Sequence, residues 1–126
     1  MRRPYGILRK PLFYRTFVWM LQNLPFALPV ERLRETEHLL AFRHPKPAYA
    51  FHVLIMPKEA IASLADLDAA ETAFLSDLIR SVQSLVAEFQ LPAYRLIVNG
   101  GDFQEFPHLH FHLISETDRQ PLETDD

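Results

Sequence analysis

The chain has 126 residues, the size of one domain, with 48% hydrophobic and 23% charged residues and a net charge of −3. It contains no cysteine, which excludes disulfides, thiolate metal sites and a cysteine nucleophile. The charge is uneven: Arg2, Arg3, Arg9, Lys10 and Arg15 stand near the start with no acid among them, while Glu116, Asp118, Glu123, Asp125 and Asp126 crowd the end against Arg119 alone. A basic arm suits nucleic acid or anionic lipid, but solvated termini with neither partner are the simpler expectation. The longest apolar run near the start, residues 17–21, is too short for a secretory leader or a membrane span, so a soluble cytoplasmic protein is expected.

In chain order, residues 12–24 form a short, weakly periodic helix, and residues 1–24 together make a basic arm. Residues 26–30 lead into a short edge strand, because Pro29 cannot donate to a ladder. Residues 37–42 read as a strand, 43–47 as a turn-rich loop with two prolines, and 51–56 as a compact apolar strand that Pro57 ends. The clearest helix spans residues 68–89. Asp68 and Glu71 have capping-box spacing at its start, and Phe74, Leu75, Leu78, Ile79, Val82, Leu85, Val86 and Phe89 make an apolar stripe for a sheet to cover. Residues 94–98 and 108–115 are the last strands, separated by the Asn99-Gly100-Gly101 turn. The expected fold is α+β, an antiparallel sheet of about five strands against one long helix plus the short N-terminal one, over residues 25–115, with an acidic tail from 116 to 126.

The chemistry is concentrated in Pro107-His108-Leu109-His110-Phe111-His112-Leu113-Ile114. Side chains alternate across a strand, so His108, His110 and His112 share one face, with Leu109, Phe111 and Leu113 on the other. Packing alone does not call for three imidazoles in a row. Neutral imidazoles ligate metals, and His52 or Glu105 could complete such a site, although alternate strand residues sit roughly 6–7 Å apart. Alternatively, an imidazole whose second nitrogen is held by a carbonyl is a competent nucleophile, and its neighbours can bind phosphate oxygens and handle the leaving group's proton.

The row His-x-His-x-His with apolar x resembles the signature of the histidine-triad (HIT) superfamily. Phe51-His52-Val53-Leu54-Ile55-Met56-Pro57-Lys58 is similar to that family's strand with a leading histidine and a closing Pro-Lys, and Phe42, Asn99 and Gln104 stand at familiar positions. The resemblance covers roughly residues 28–115. It implies that His110 attacks an α-phosphate and forms a nucleotidyl-histidine. His108 and His112 would then position it and contact phosphate oxygens, and His52 would assist proton transfer. Asn99 and Gln104 would lie on the phosphate side, and Phe42 and His44 would belong to the nucleotide-binding residues. It also implies purine phosphoramidates, aminoacyl-adenylates or dinucleoside polyphosphates as substrates, a homodimer that joins its sheets, and no metal or other cofactor for the chemistry.

The chain departs from that pattern in places. Glu105 stands where a Ser or Thr is usual, and a carboxylate accepts hydrogen bonds and repels phosphate. It either points to solvent or meets a cationic leaving amine. The loop from Asn99 to His108 is shorter than in the nucleoside phosphoramidases. His44 occupies the place of the ribose-binding acid, and Ala60 replaces the histidine often found after the Pro-Lys. These differences keep two other readings open, a non-catalytic nucleotide sensor and a metal-dependent enzyme built on the histidine row.

Overall fold

The structure, a computed structural model, describes residues 11–116, so the basic residues 1–10 and the tail from 117 lie outside the described residues. Five strands form one antiparallel sheet: β1 (Arg32–Glu35), β2 (Leu39–Arg43), β3 (Phe51–Pro57), β4 (Arg95–Val98) and β5 (Phe111–Ser115), in the order β1-β2-β3-β5-β4. Two helices accompany it, α1 (Pro11–Asn23) and α2 (Thr72–Glu88). The α+β class, the strand number and the two helices are those expected from the sequence.

Alternation along the central strands sorts residues between two faces. Leu39 and Ala41 of β2, Phe51, Val53 and Ile55 of β3, and Phe111 and Leu113 of β5 meet Phe74, Leu78, Val82 and Leu85 of α2 in the main core. The opposite registers, Leu40, Phe42, Leu54 and Met56, pack with Leu21 of α1 and with Leu28, flanked by Phe17, Met20 and Val30. So α1 packs against part of the second face, and the histidines lie beside that part.

Several boundaries differ from expectation. Residues 26–30 hold a 3-10 turn (Pro25–Ala27) and extended backbone, and the edge strand itself is Arg32–Glu35, beyond the prolines, with an irregularity between Arg32 and Arg34. The long helix begins at Thr72, four residues later than read. Glu71 is its cap residue without a side-chain capping bond, and the Asp68 carboxylate instead accepts from the Ala70 N–H at 3.0 Å in the turn before it. The capping box therefore does not form, because Asp68 is spent on a tighter local turn. At the other end Gln90 takes a left-handed φ of 52°, which lets the Leu91 N–H reach Val86 O (3.1 Å) and the Gln90 N–H reach Ala87 O (3.3 Å). These are the two bonds of a Schellman stop, sealed by buried Leu91. Finally, β5 starts at Phe111 rather than at residue 108. The Leu109 N–H is taken by Ile61 O (2.8 Å), so residues 108–110 leave the ladder and pair with the loop after β3.

Candidate active site

The site forms on the second face, beside the part that α1 packs against. His52 of β3 and His112 of β5 lie on adjacent strands, in registers opposite Ile114 and Leu54 respectively. Their rings bond directly, His52 Nε2 to His112 Nδ1 at 2.9 Å. His110 sits beside His112, ring centroids 5.1 Å apart, and His44 packs at a tilt against His52 at 4.4 Å and lies near parallel to His112 at 6.3 Å. Four of the chain's six histidines thus cluster in one place.

Backbone groups settle which nitrogen of each ring carries hydrogen. The Ala48 N–H can only donate, so His52 Nδ1 accepts (3.0 Å), and in the neutral ring Nε2 bears the hydrogen that it donates to His112 Nδ1. His112 therefore keeps its own hydrogen on Nε2. His110 Nδ1 donates to His108 O at 2.7 Å, which leaves Nε2 of His110 with its lone pair. His44 is set in the same way as His52: its Nδ1 accepts from the Lys46 N–H (3.0 Å), placing hydrogen on Nε2.

Burial keeps these rings neutral. It pulls His52, His108 and His112 down to about 4 from an ordinary 6.5, and the mutual proximity of the histidines adds to the shift. His44 is lowered for the same two reasons. His110 is also lowered by burial, against the opposing pull of its bond to His108 O and the negative charge of Glu105. A row of neutral imidazoles, one with a directed lone pair, suits nucleophilic attack near neutral pH.

The remaining residues singled out in the sequence are placed less directly. His108 is fully buried and donates from Nε2 to Pro57 O at 2.9 Å. It shares the histidine face but is set back from the cluster, against Phe17 of α1, with ring centroids 6.4 Å apart. Gln104 is buried and uses its side-chain amide to bond Ala62 O (2.7 Å) and Phe106 O (2.9 Å), so it braces the loop. Phe42 is 3% exposed and belongs to the packing beneath α1, which leaves its ring no open face for a base. Asn99 is half-buried directly after β4. Among the described residues, no group of three or more His, Asp or Glu is arranged to hold a metal ion.

Three contributors were not legible in the sequence. Phe106 stands edge-on to both Phe17 (5.2 Å) and His110 (6.4 Å), linking α1 to His110. Tyr49 lies edge-on to His52 at 5.4 Å. The Ala48 contribution is a backbone N–H, to which no residue-type signal corresponds.

Residues 27–119 match the HIT domain family. The chain belongs to the HIT family. An uncharacterised 13.2 kDa HIT-like protein of Azospirillum brasilense is 35% identical over 102 residues, covering 77% of this chain and 84% of the relative. The adenosine 5′-monophosphoramidase of Saccharomyces cerevisiae is 34% identical over 95 residues, 74% of this chain and 58% of the yeast protein. Among solved structures, a HIT family hydrolase from Clostridium thermocellum superposes with a TM-score of 0.70 at 29% identity, over 86% of this chain and 96% of that one. The HIT fold expected from the histidine row is thus the fold observed. Among the described residues, no helix of this HIT protein is long and apolar enough to cross a membrane.

Proposed function

We propose that this HIT protein hydrolyses purine nucleoside 5′-phosphoramidates through a nucleotidyl-histidine on His110. The observation that carries the reading is the bond from His110 Nδ1 to His108 O, which leaves Nε2 with a lone pair for attack. The likeness to the yeast monophosphoramidase supports the same substrate class.

In the first step His110 Nε2 bonds to the α-phosphorus, the phosphorus–nitrogen bond breaks, and the leaving amine departs with a proton taken from solvent, which the attacking water of the second step gives back. In the second, water attacks the same phosphorus, the histidine–phosphorus bond breaks, and the nucleoside monophosphate leaves with His110 restored. His112, with hydrogen held on Nε2 by the Ala48–His52 chain, donates to a phosphate oxygen as negative charge builds there. His44, a donor at Nε2, takes the ribose side. Gln104 and His108 act by holding the loop and the nucleophile's carbonyl in place. The reading extends to a homodimer joined at the β4 edge of the sheet and to a cytoplasmic location.

The test is release of AMP from adenosine 5′-phosphoramidate by wild type and by His110→Ala. The expected result is turnover by the wild type and a loss of at least about ten-thousandfold in the variant, with the melting temperature preserved. Undiminished turnover by His110→Ala would refute the mechanism. Tight AMP binding by a wild type that turns over neither phosphoramidates nor dinucleoside polyphosphates would favour the sensor reading instead.

A further inference from the structure

Helix α1 (Pro11–Asn23) precedes residues 27–119, which match the HIT family, so the family match assigns it no part in the site. Most of its buried surface meets the sheet. Leu21, fully buried, packs in one cluster with Leu40, Phe42 and Leu54. Phe17 flanks that cluster but also meets the histidine segment. Its ring stands edge-on to Phe106 at 5.2 Å, with 89° between the planes, and to His108 at 6.4 Å and 70°.

Both of those residues lead to His110. The Phe106 ring meets the His110 ring edge-on at 6.4 Å and 64°, and the His108 carbonyl accepts from His110 Nδ1 at 2.7 Å. Both are anchored. Phe106 O accepts from the Gln104 side-chain amide (2.9 Å) and from the His108 N–H (2.8 Å), and His108 donates from Nε2 to Pro57 O (2.9 Å). The bond to His108 O fixes one atom of the His110 ring, but the ring torsion of a histidine is soft, so its plane can still swing. Rings packed against it limit that swing: His112 at 5.1 Å and Phe106. His112 is held by β5 and by its bond to His52. Phe106 stands in a loop, and its ring packs against Phe17.

We infer that Phe17 is a positioning residue for His110: through Phe106 and His108 it holds the attacking ring at its working angle, and α1 thereby completes the site. What His110 attacks is taken from the phosphoramidate reading above, whereas the state of its ring can be measured without turnover. Loss of one aromatic edge contact accounts for a fall in kcat of about tenfold, with KM little changed, because Phe17 acts on the nucleophile rather than on the bound ligand.

The experiment follows Phe17→Leu, Phe106→Leu and the double variant by kinetics with adenosine 5′-phosphoramidate and by nitrogen NMR of the histidine rings. Leu21→Val, which trims α1 where it packs on the strands, controls for a merely structural effect. Each Phe variant is expected to lose about tenfold in kcat, and the double variant little more, because the two rings act in one chain. In the spectra His110 should lose part of its Nδ1–H character, while His52 and His112, set by the Ala48 N–H, keep theirs. Leu21→Val should lower the melting temperature without either change. A kcat for Phe17→Leu within about twofold of wild type, losses that simply multiply in the double variant, or the same changes in Leu21→Val overturn the inference. Should Phe17→Leu fail to fold, Phe106→Leu decides by the same readouts. If wild type turns over no phosphoramidate, the hydrolytic reading fails separately and the spectra decide: a change confined to His110 in the two Phe variants supports the positioning role, and unchanged or uniformly shifted histidines overturn it.

Discussion

The two faces of the sheet are built from neighbouring residues with opposite duties. Phe51 and His52 are adjacent on β3, yet Phe51 is fully buried against Phe89 beneath α2, ring centroids 5.1 Å apart, with the Arg43 guanidinium 5.6 Å from its ring. His52 faces the other way, into a hydrogen-bonded pair with His112. The same division separates Leu113 from His112 on β5. The α2 face is filled by apolar packing, whereas the second face packs apolar residues against α1 and holds the histidines beside them. A pleated strand can thus supply apolar packing from one register and hydrogen-bonding imidazoles from the next.

The largest break in that comparison comes from the covered face. Phe51→Ala is expected to cost about 3–5 kcal/mol by chemical denaturation, because a fully buried ring is removed and its cavity refills poorly. Protein that remains folded should keep its turnover, and a loss of kcat matching the loss of stability would blur the division. On the histidine face, His52→Leu removes the group that holds hydrogen on His112 Nε2. We expect about a hundredfold loss in kcat/KM from misorientation, with a much smaller change in melting temperature than Phe51→Ala causes. A variant as active as wild type would show that the His52–His112 bond has no part in positioning.

The smallest effect sharpens the comparison through pH. His52, His108 and His112 have folded-state values of about 4, below the 6.5 of an unfolded histidine. Between those values the unfolded chain binds more protons, so stability is fully present above about 6.5 and drains away as pH falls toward 4. Melting temperature should be flat from pH 8 to about 7 and then decline, by several degrees by pH 5. His52→Leu should decline less steeply, since one of the three protons is gone. A flat profile down to pH 5 would mean that the histidine face is not buried as described. Glu35, lowered chiefly by its bond to Lys58, drives a further loss only below the ordinary carboxylate value of 4.5, outside this window.

Much of the site was visible in local pattern. Three histidines at period two predict a shared face wherever the backbone is extended, and His52 at the head of an apolar strand predicts a partner across the ladder. What misled was anything that depended on distant packing. Phe42 has the composition of a base-stacking ring, but α1 lies over its strand and takes the surface. Gln104 has a phosphate-binding amide, but two carbonyls of its own loop lie closer. Asp68 and Glu71 have capping-box spacing, but the Asp68 carboxylate closes the preceding turn, and the helix waits until Thr72.

Sequence by itself determined the class of fold and the segment in which the histidine row lies, because periodicity and hydrogen-bonding type are local properties of the chain, while the start of β5 at Phe111, which leaves only His112 of the row on the strand, came from the fold. Only the tertiary structure decided which nitrogen of each imidazole carries hydrogen, because that is imposed by the Ala48 and Lys46 N–H groups and the His108 and Pro57 carbonyls, which the fold brings to the rings. It alone also decided that Phe106 stands between Phe17 of α1 and His110, since that follows from where an anchored loop and a packed helix meet in space rather than from the residues they contain.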